Sequence, residues 1–228
     1  MLRTLSTPGV YSDEVSAFPN SVIPIATAVP AFVGYTPKAE FEGKSYYNQP
    51  VYIDSFAEYL AIFALPTSSQ QYSPQYYLIA QTSESGGGPN ITINGSSYTI
   101  LPDQNTIYYM YNSIRLFFLN GGGRACIVSV GPYGGPSGVP LTSPGIQCIN
   151  PNVTLADLQA GLALLKNETV PSLYLCPEAT LLSPADNTTL VQSMLLQAQK
   201  LQTAVCLFDV INGNQPTQET FSDDIQAF

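Results

Sequence analysis

Three short apolar runs alternate with two helical patterns in the second half of the chain, and this alternation constrains the fold more than any other feature. The runs are residues 125–130 (ACIVSV), 172–176 (SLYLC) and 204–210 (AVCLFDV). A nearly continuous apolar run suits a strand buried on both faces, as in a parallel sheet. Between the first two runs, Thr154, Leu155, Ala156 and Asp157 open a helix predicted through about Lys166. Between the second and third, the spacing predicts a helix over 185–201, with Leu190, Met194, Leu195, Ala198 and Leu201 facing the core. The order β-α-β-α-β predicts an α/β fold: a mostly parallel sheet with flanking helices and right-handed crossovers.

Upstream, residues 105–119 carry the strongest helical pattern. Ile107, Tyr108, Tyr111, Ile114, Arg115, Phe117 and Phe118 occupy most of its circumference, and Asn120, Gly121, Gly122 and Gly123 end it in a glycine cap. Residues 31–35 read as a short, fully buried strand, and Val51, Tyr52 and Ile53 as an edge strand after a Tyr-rich loop. Ser55 and Glu58 form a capping box for a helix to about Leu65, stopped by Pro66, with Phe56, Leu60 and Phe63 as its apolar stripe. Residues 67–104 read as a β-rich insertion. Gly86, Gly87, Gly88 and Pro89 break the chain there, and Asn94-Gly95 joins residues 91–93 to 96–100 in a hairpin with a type I′ turn and one wet face.

The first 28 residues are an extended arm. Pro8, Pro19, Pro24 and Pro30 leave no room for a helix. Apolar residues nonetheless recur through it, so the arm needs another surface to pack on, often another chain. The organisation is therefore an arm (1–28), an α/β core (29–66 and 105–228) and the insertion (67–104). From Thr220 a further amphipathic helix is expected to begin, with Ile225, Ala227 and Phe228 apolar; the absence of a stop signal there suggests a chain that is one portion of a longer protein.

Charged residues are 10% of the chain, against ~25% in an average domain. Fifteen Tyr and many Ser, Thr, Asn and Gln supply the polar surface, a composition suited to packing against copies of itself. The net charge of −9 and the absence of a basic run argue against a nucleic-acid partner. No apolar stretch reaches membrane-spanning length, so direct membrane insertion is not expected. Residues 1–20 lack the apolar core of a signal peptide, which places synthesis in the cytosol. Cys126, Cys148, Cys176 and Cys206 match no zinc or redox spacing and read as reduced thiols, three of them in buried strands. Asn-x-Ser/Thr triplets at Asn90, Asn94, Asn152, Asn167 and Asn187 read as chance occurrences.

No chemistry-bearing constellation emerges. There is no His and no Trp, which removes His-based catalytic triads and His-ligated metals. Adjacent carboxylates Asp13/Glu14 and Asp223/Asp224 point apart, on an extended arm and on a helix respectively. The run Asn120, Gly121, Gly122, Gly123, Arg124 has glycines in the order helix-glycines-strand, the reverse of a phosphate loop, and would face a helix C-terminus whose dipole repels anions. Paired tyrosines (Tyr46/Tyr47, Tyr76/Tyr77, Tyr108/Tyr109) lack interleaved basic residues and read as packing or interface groups rather than a base-stacking platform. The expectation is a non-enzymatic protein without catalytic, cofactor or metal sites.

Four blocks carry a family resemblance. The first is Thr7, Pro8, Gly9, Val10 and Tyr11, then Glu14 and Val15, then residues 27–36 (TAVPAFVGYT). The second is residues 111–131 (YNSIRLFFLNGGGRACIVSVG). The third is Ala163, Leu164 and Leu165 followed by 173–177 and Glu178, where the family tends to carry proline-aspartate. The fourth is residues 205–210. In this order they resemble the N-terminal portion of contractile tail sheath proteins of phages, tailocins and phage-tail-like injection systems. Sheath proteins are longer, and the region that completes their core and faces the tube lies beyond Phe228.

The resemblance implies a structural subunit that polymerises helically around an inner tube and contracts to drive it through a target envelope. It implies that the arm, with Pro8, Gly9, Val10, Tyr11, Val15, Val22, Ile23 and Ile25, adds a strand to a neighbouring subunit's sheet by β-augmentation. Its implied partners are further copies of itself, the inner tube protein, and baseplate and terminal cap proteins. Its implied place is assembly in the bacterial cytoplasm into a virion tail or a phage-tail-like particle. Two other readings stay open on sequence: a baseplate or cap component with a sheath-like fold, and a small α/β ligand-binding enzyme domain.

Overall fold

The computed structural model describes residues 28–64, 76–80, 90–102, 108–132, 153–202, 204–211 and 225–226. Their centre is β1 (Pro30–Thr36), buried at every position. Two minor strands, β2 (Glu40–Phe41) and β3 (Lys44–Ser45), form a separate hairpin, and β4 (Pro50–Ile53) follows. Helix α1 (Phe56–Phe63) starts at Ser55, whose Oγ accepts from the Glu58 amide. Glu58 completes the cap by accepting from the Asp54 amide at 2.9 Å, one residue earlier than the standard box. The buried stripe of α1 is Tyr59 and Phe63, with Phe56 half-buried; Leu60, expected in it, is exposed. Position i+3 from Phe56 rather than i+4 faces the core, and Tyr59 there lies against Phe56, Phe63 and Tyr111.

Strands β5 (Tyr76–Ala80), β6 (Asn90–Ile93) and β7 (Ser96–Pro102) make an antiparallel sheet in the order β5-β7-β6. The β6–β7 turn has Asn94 and Gly95 both at positive φ, 50° and 81°, as a type I′ turn requires. Strand β5 was not foreseen. The alternation of β6 does not separate a dry face from a wet one either, since Ile91 and Ile93 are exposed along with Thr92.

Helix α2 (Tyr109–Leu119) precedes β8 (Ala125–Pro132). Its end is a Schellman motif: Gly121 N–H reaches Phe118 O, Gly122 N–H reaches Phe117 O, and Gly121 has φ 84°. Met110, Tyr111 and Ile114 are its buried residues, while Arg115 is exposed and Phe117 and Phe118 are half-buried. Next come α3 (Leu155–Leu164), β9 (Leu173–Leu175), a short 3-10 turn over Pro177–Leu181, α4 (Pro184–Leu201) and β10 (Val205–Leu207). Thr154 and Ser183 cap α3 and α4, each accepting from an amide three residues on, at Asp157 and Asp186.

The main sheet runs β10-β9-β1-β8-β4, parallel except for β4. The fold is α/β with a mostly parallel five-stranded sheet, as the sequence predicts. Helices cover both faces. On one face α2 sits over β1, with Phe117 against Phe32 at 6.0 Å between ring centroids and Met110 beside Gly34. On the other, Gly161 of α3 lets the helix settle onto Val33, Val128 and Val130, leaving no space for a Cβ. Helix α4 adjoins α3 there, with Gln197 Nε2 donating to Leu162 O and Gln159 Nε2 to Ser193 Oγ. Its buried side is Asn187, Leu190, Met194 and Gln197, whereas Leu195, expected inside, faces out. Strand β10 is shorter than predicted and lies at the sheet margin, so Cys206 is half-buried rather than buried.

Candidate assembly surface

The expected arm residues Pro8, Gly9, Val10, Tyr11, Val15, Val22, Ile23 and Ile25 lie outside the described residues. What the described residues do place is the crevice where a sheet of this order takes a ligand, and the outer margin of the sheet.

The chain leaves β1 by way of α1 and α2 on one face and leaves β9 by way of α4 on the other. Because β1 and β9 are neighbours, their carboxyl ends form the topological switch point, the usual ligand crevice of open α/β sheets. Here that crevice is filled from within. Pro177 starts the 3-10 turn directly after β9, and this brings the Glu178 side chain in, 1% exposed, with Oε2 accepting from the Tyr35 amide at 2.8 Å. A side chain at Gly34 would overlap that oxygen. The Glu178 side chain occupies the space that a ligand at the crevice would need. The Tyr35 hydroxyl donates to Asp157 Oδ2 at 2.8 Å and accepts from the Thr154 amide at 3.1 Å, tying β1 to the start of α3. Burial, with the Asp157 carboxylate adding to it, pushes the Tyr35 hydroxyl up to about 12. Thr36 Oγ1 donates to Lys38 O, so Ser129 Oγ supplies the proton of the 2.6 Å Thr36–Ser129 contact. These groups hold one another.

The cysteines behave as packing groups. Burial pushes Cys126 up to about 12 and raises Cys176 and Cys206 as well, which keeps them as thiols at neutral pH. Cys148 lies outside the described residues. On the same sheet face as Cys126, the Tyr52 hydroxyl donates to Glu168 Oε2 at 2.6 Å, and burial together with that carboxylate raises its pKa. The Arg124 guanidinium holds Asp54 through Nε and Nη2 at 2.8 and 3.2 Å, pinning β4 to the start of β8 and lowering the Asp54 pKa. Arg124 is thus a structural partner rather than a phosphate ligand.

The open surface is at the other margin. Among the described residues no strand pairs with the outer edge of β10. Register places Val205 beside Leu173 and Leu207 beside Leu175, and Leu175 beside Phe32, so these four side chains share the face that α2 covers over β1. No described helix continues that cover outward. Val205 is 63% exposed, Leu207 49%, and Leu173 and Leu175 are half-buried. Leu116, 62% exposed, stands on the flank of α2 away from α1, whose side of the helix carries Tyr111 and Phe118. The result is an apolar strip two strands wide, walled by α2. A parallel sheet is ordinarily covered on both faces, so an uncovered strip marks a place for another element.

No family model matches the chain, and no curated protein matches it. Among solved structures, the chain is similar to a chain in the cryo-EM structure of the anti-feeding prophage (AFP) baseplate in the contracted state. The match has 18% identity and a TM-score of 0.44, and covers 88% of this chain and 39% of that one. The chain thus spans well under half the length of its counterpart. Among the described residues no helix is long and apolar enough to cross a membrane.

Sequence reasoning missed the strip for a physical reason. Its apolar residues read as core strand, and only the sheet order shows that, among the described residues, β9 and β10 have a helix on one face alone.

Proposed function

We propose that this chain is a structural subunit of a contractile sheath, polymerising helically around an inner tube and contracting to drive the tube through a target envelope. The observation that carries the reading is the placement of the family-like sequence blocks. Residues 27–36, 111–131, 173–178 and 205–210 supply four adjacent strands of one sheet, β1, β8, β9 and β10, so separate sequence likenesses converge on one body. The filled crevice at Glu178 supports a mechanical rather than a catalytic role. The outer edge of β10, which no described strand pairs, presents main-chain groups of the kind an added strand uses. In this reading the arm residues from Pro8 to Ile25 tether each subunit to the next while the bodies repack, and a non-closing head-to-tail contact generates the helix. Further copies, an inner tube, and baseplate and cap proteins are the partners. Residues 67–104 decorate the outer surface, and a deletion of them that abolishes assembly would overturn that assignment.

The test is negative-stain electron microscopy of the purified protein with and without residues 1–28. Long hollow striated cylinders from the first, and monomers or short rings from the second, are expected. Monomers from both would refute the arm-linked sheath, and closed rings from both would favour the baseplate reading.

A further inference from the structure

The turn between β6 and β7 sets an electrophile beside a nucleophile. The carboxamide of Asn94 is one residue away from the peptide nitrogen of Gly95, and a glycine leaves that nitrogen unshielded because no Cβ stands next to it. Ile93, Asn94, Gly95 and Ser96 are all exposed, so water reaches both groups. A Cβ built at Gly95 would meet nothing within 4 Å. The strand ladder ends at the Ile93–Ser96 pair, which leaves the Gly95 amide beyond it.

A second asparagine-glycine pair, at the end of α2, is held where the first is open. Asn120 Nδ2 donates to Leu116 O at 2.8 Å, and the Gly121 amide donates to Phe118 O at 3.1 Å. Its electrophile and its nucleophile are thus both occupied. A third pair, Asn212 and Gly213, lies outside the described residues.

We infer that Asn94 is a site of spontaneous deamidation, with isoaspartate as the main product. The Gly95 nitrogen gives its proton to base and attacks Asn94 Cγ. The N–Cγ bond forms, the Cγ–Nδ2 bond breaks, and the departing nitrogen takes a proton from water to leave as ammonia. One water molecule then opens the cyclic imide. Opening at Cγ yields aspartate. Opening at the main-chain carbonyl, the more electrophilic of the two because it adjoins the α-nitrogen, yields isoaspartate. The attack requires rotation about the Asn94 ψ angle, which at the tip of the hairpin opens only the Ile93–Ser96 pair. Isoaspartate routes the main chain through Cβ and Cγ, lengthening a two-residue turn whose φ angles of 50° and 81° belong to the ordinary backbone. Strand β6 pairs with β7 alone among the described residues, so it loosens when that turn lengthens. None of this rests on the sheath reading.

The test holds freshly purified full-length protein at neutral and mildly alkaline pH in oxygen isotope-labelled water, which marks acids formed during the incubation. Peptide mapping by mass spectrometry then locates them, and chromatography separates aspartate from isoaspartate. Conversion at Asn94 is expected to run at least ~10-fold ahead of Asn120, which must first lose two hydrogen bonds. The rate climbs about tenfold per pH unit, as attack by a deprotonated amide requires. Isoaspartate exceeds aspartate, and in urea Asn120 reacts as fast as Asn94. Hydrogen exchange at residues 90–93 and 96–99 quickens in the modified protein but not in fresh Asn94→Asp protein, which carries the same charge on an ordinary backbone.

An unchanged Asn94, or equal rates at Asn94 and Asn120 in the folded protein, overturns the site. Aspartate without isoaspartate, or a rate indifferent to pH, overturns the imide route. Exchange that stays slow after isoaspartate has formed overturns the loosening of β6.

Discussion

Gly34 sits mid-strand in the most buried element of the fold, and its smallness is dictated by Glu178 rather than by backbone conformation. Substitution by alanine puts a Cβ onto Glu178 Oε2 and within 3.2 Å of Met110 Sδ. The carboxylate must then swing off the Tyr35 amide. Losing a hydrogen bond to a charged group costs about 1.5–3 kcal/mol, and overpacking a filled core costs about 1–3 kcal/mol more. Replacing glycine in a strand returns roughly 0.5–1 kcal/mol. The expected net destabilisation is about 2–5 kcal/mol, a large share of the 5–15 kcal/mol that holds a typical domain together. Glu178→Ala is itself destabilising, but it removes the obstacle, so Gly34→Ala added to that background costs nothing or stabilises slightly. The coupling across the double-mutant cycle is therefore about 2 kcal/mol or more. Urea unfolding followed by circular dichroism measures all four proteins. If Gly34→Ala costs the same in both backgrounds, Glu178 is not what excludes a side chain at position 34, and the picture of a filled crevice fails.

Other predictions are simpler. Tyr35 titrates near 12 when folded and near 10 when unfolded, so its stabilising contribution is whole below about pH 10 and is lost as pH rises toward 12; melting scans across that window should decline, and Tyr35→Phe should flatten the decline. Gly161→Ala drives a methyl into Val130 and Val33, and should destabilise by about 1–2 kcal/mol after allowing for better helix propensity; Val33→Ala should relieve part of that cost in denaturant titrations. Gly121→Ala forces a left-handed C′ position on a residue with a Cβ, with a loss of about 1 kcal/mol by the same assay. In native protein, Cys126 and Cys176 should resist alkylation that reaches them after urea is added, as mass spectrometry would show.

The strands and helices of the core were legible because their signals are local. The run at 125–130 has no solvent face to encode, Asn94-Gly95 admits one tight turn, and Ser55 and Thr154 announce helix starts. Placement was not legible, because nothing in the chain's order says that the first strand lies between the second and third parallel ones. Nor does composition reveal which polar residues go inside. Glu178, Asn187 and Gln197 are polar yet buried, since each finds a main-chain partner across the packing: the Tyr35 amide, Ala179 O and Leu162 O. Leu60 and Leu195 fail in the opposite sense, because a stripe i, i+3, i+4 does not say which of two adjacent apolar positions points inward. The assembly surface was hidden for the same reason as the sheet order: an apolar strand looks identical whether its second face meets a helix or nothing.

The central position of β1 has a consequence during synthesis. Tyr35 meets Glu178 across 143 residues of sequence, so the strand that emerges first is completed among the last. At ~5–20 residues per second, about 7–30 s pass between the appearance of β1 on the ribosome and the arrival of its β9 neighbour. Throughout that interval a seven-residue apolar strand waits with at least one edge open. Such a strand is a natural client for a holding chaperone, and slow codons placed before β9 would lengthen its exposure and raise the aggregated fraction.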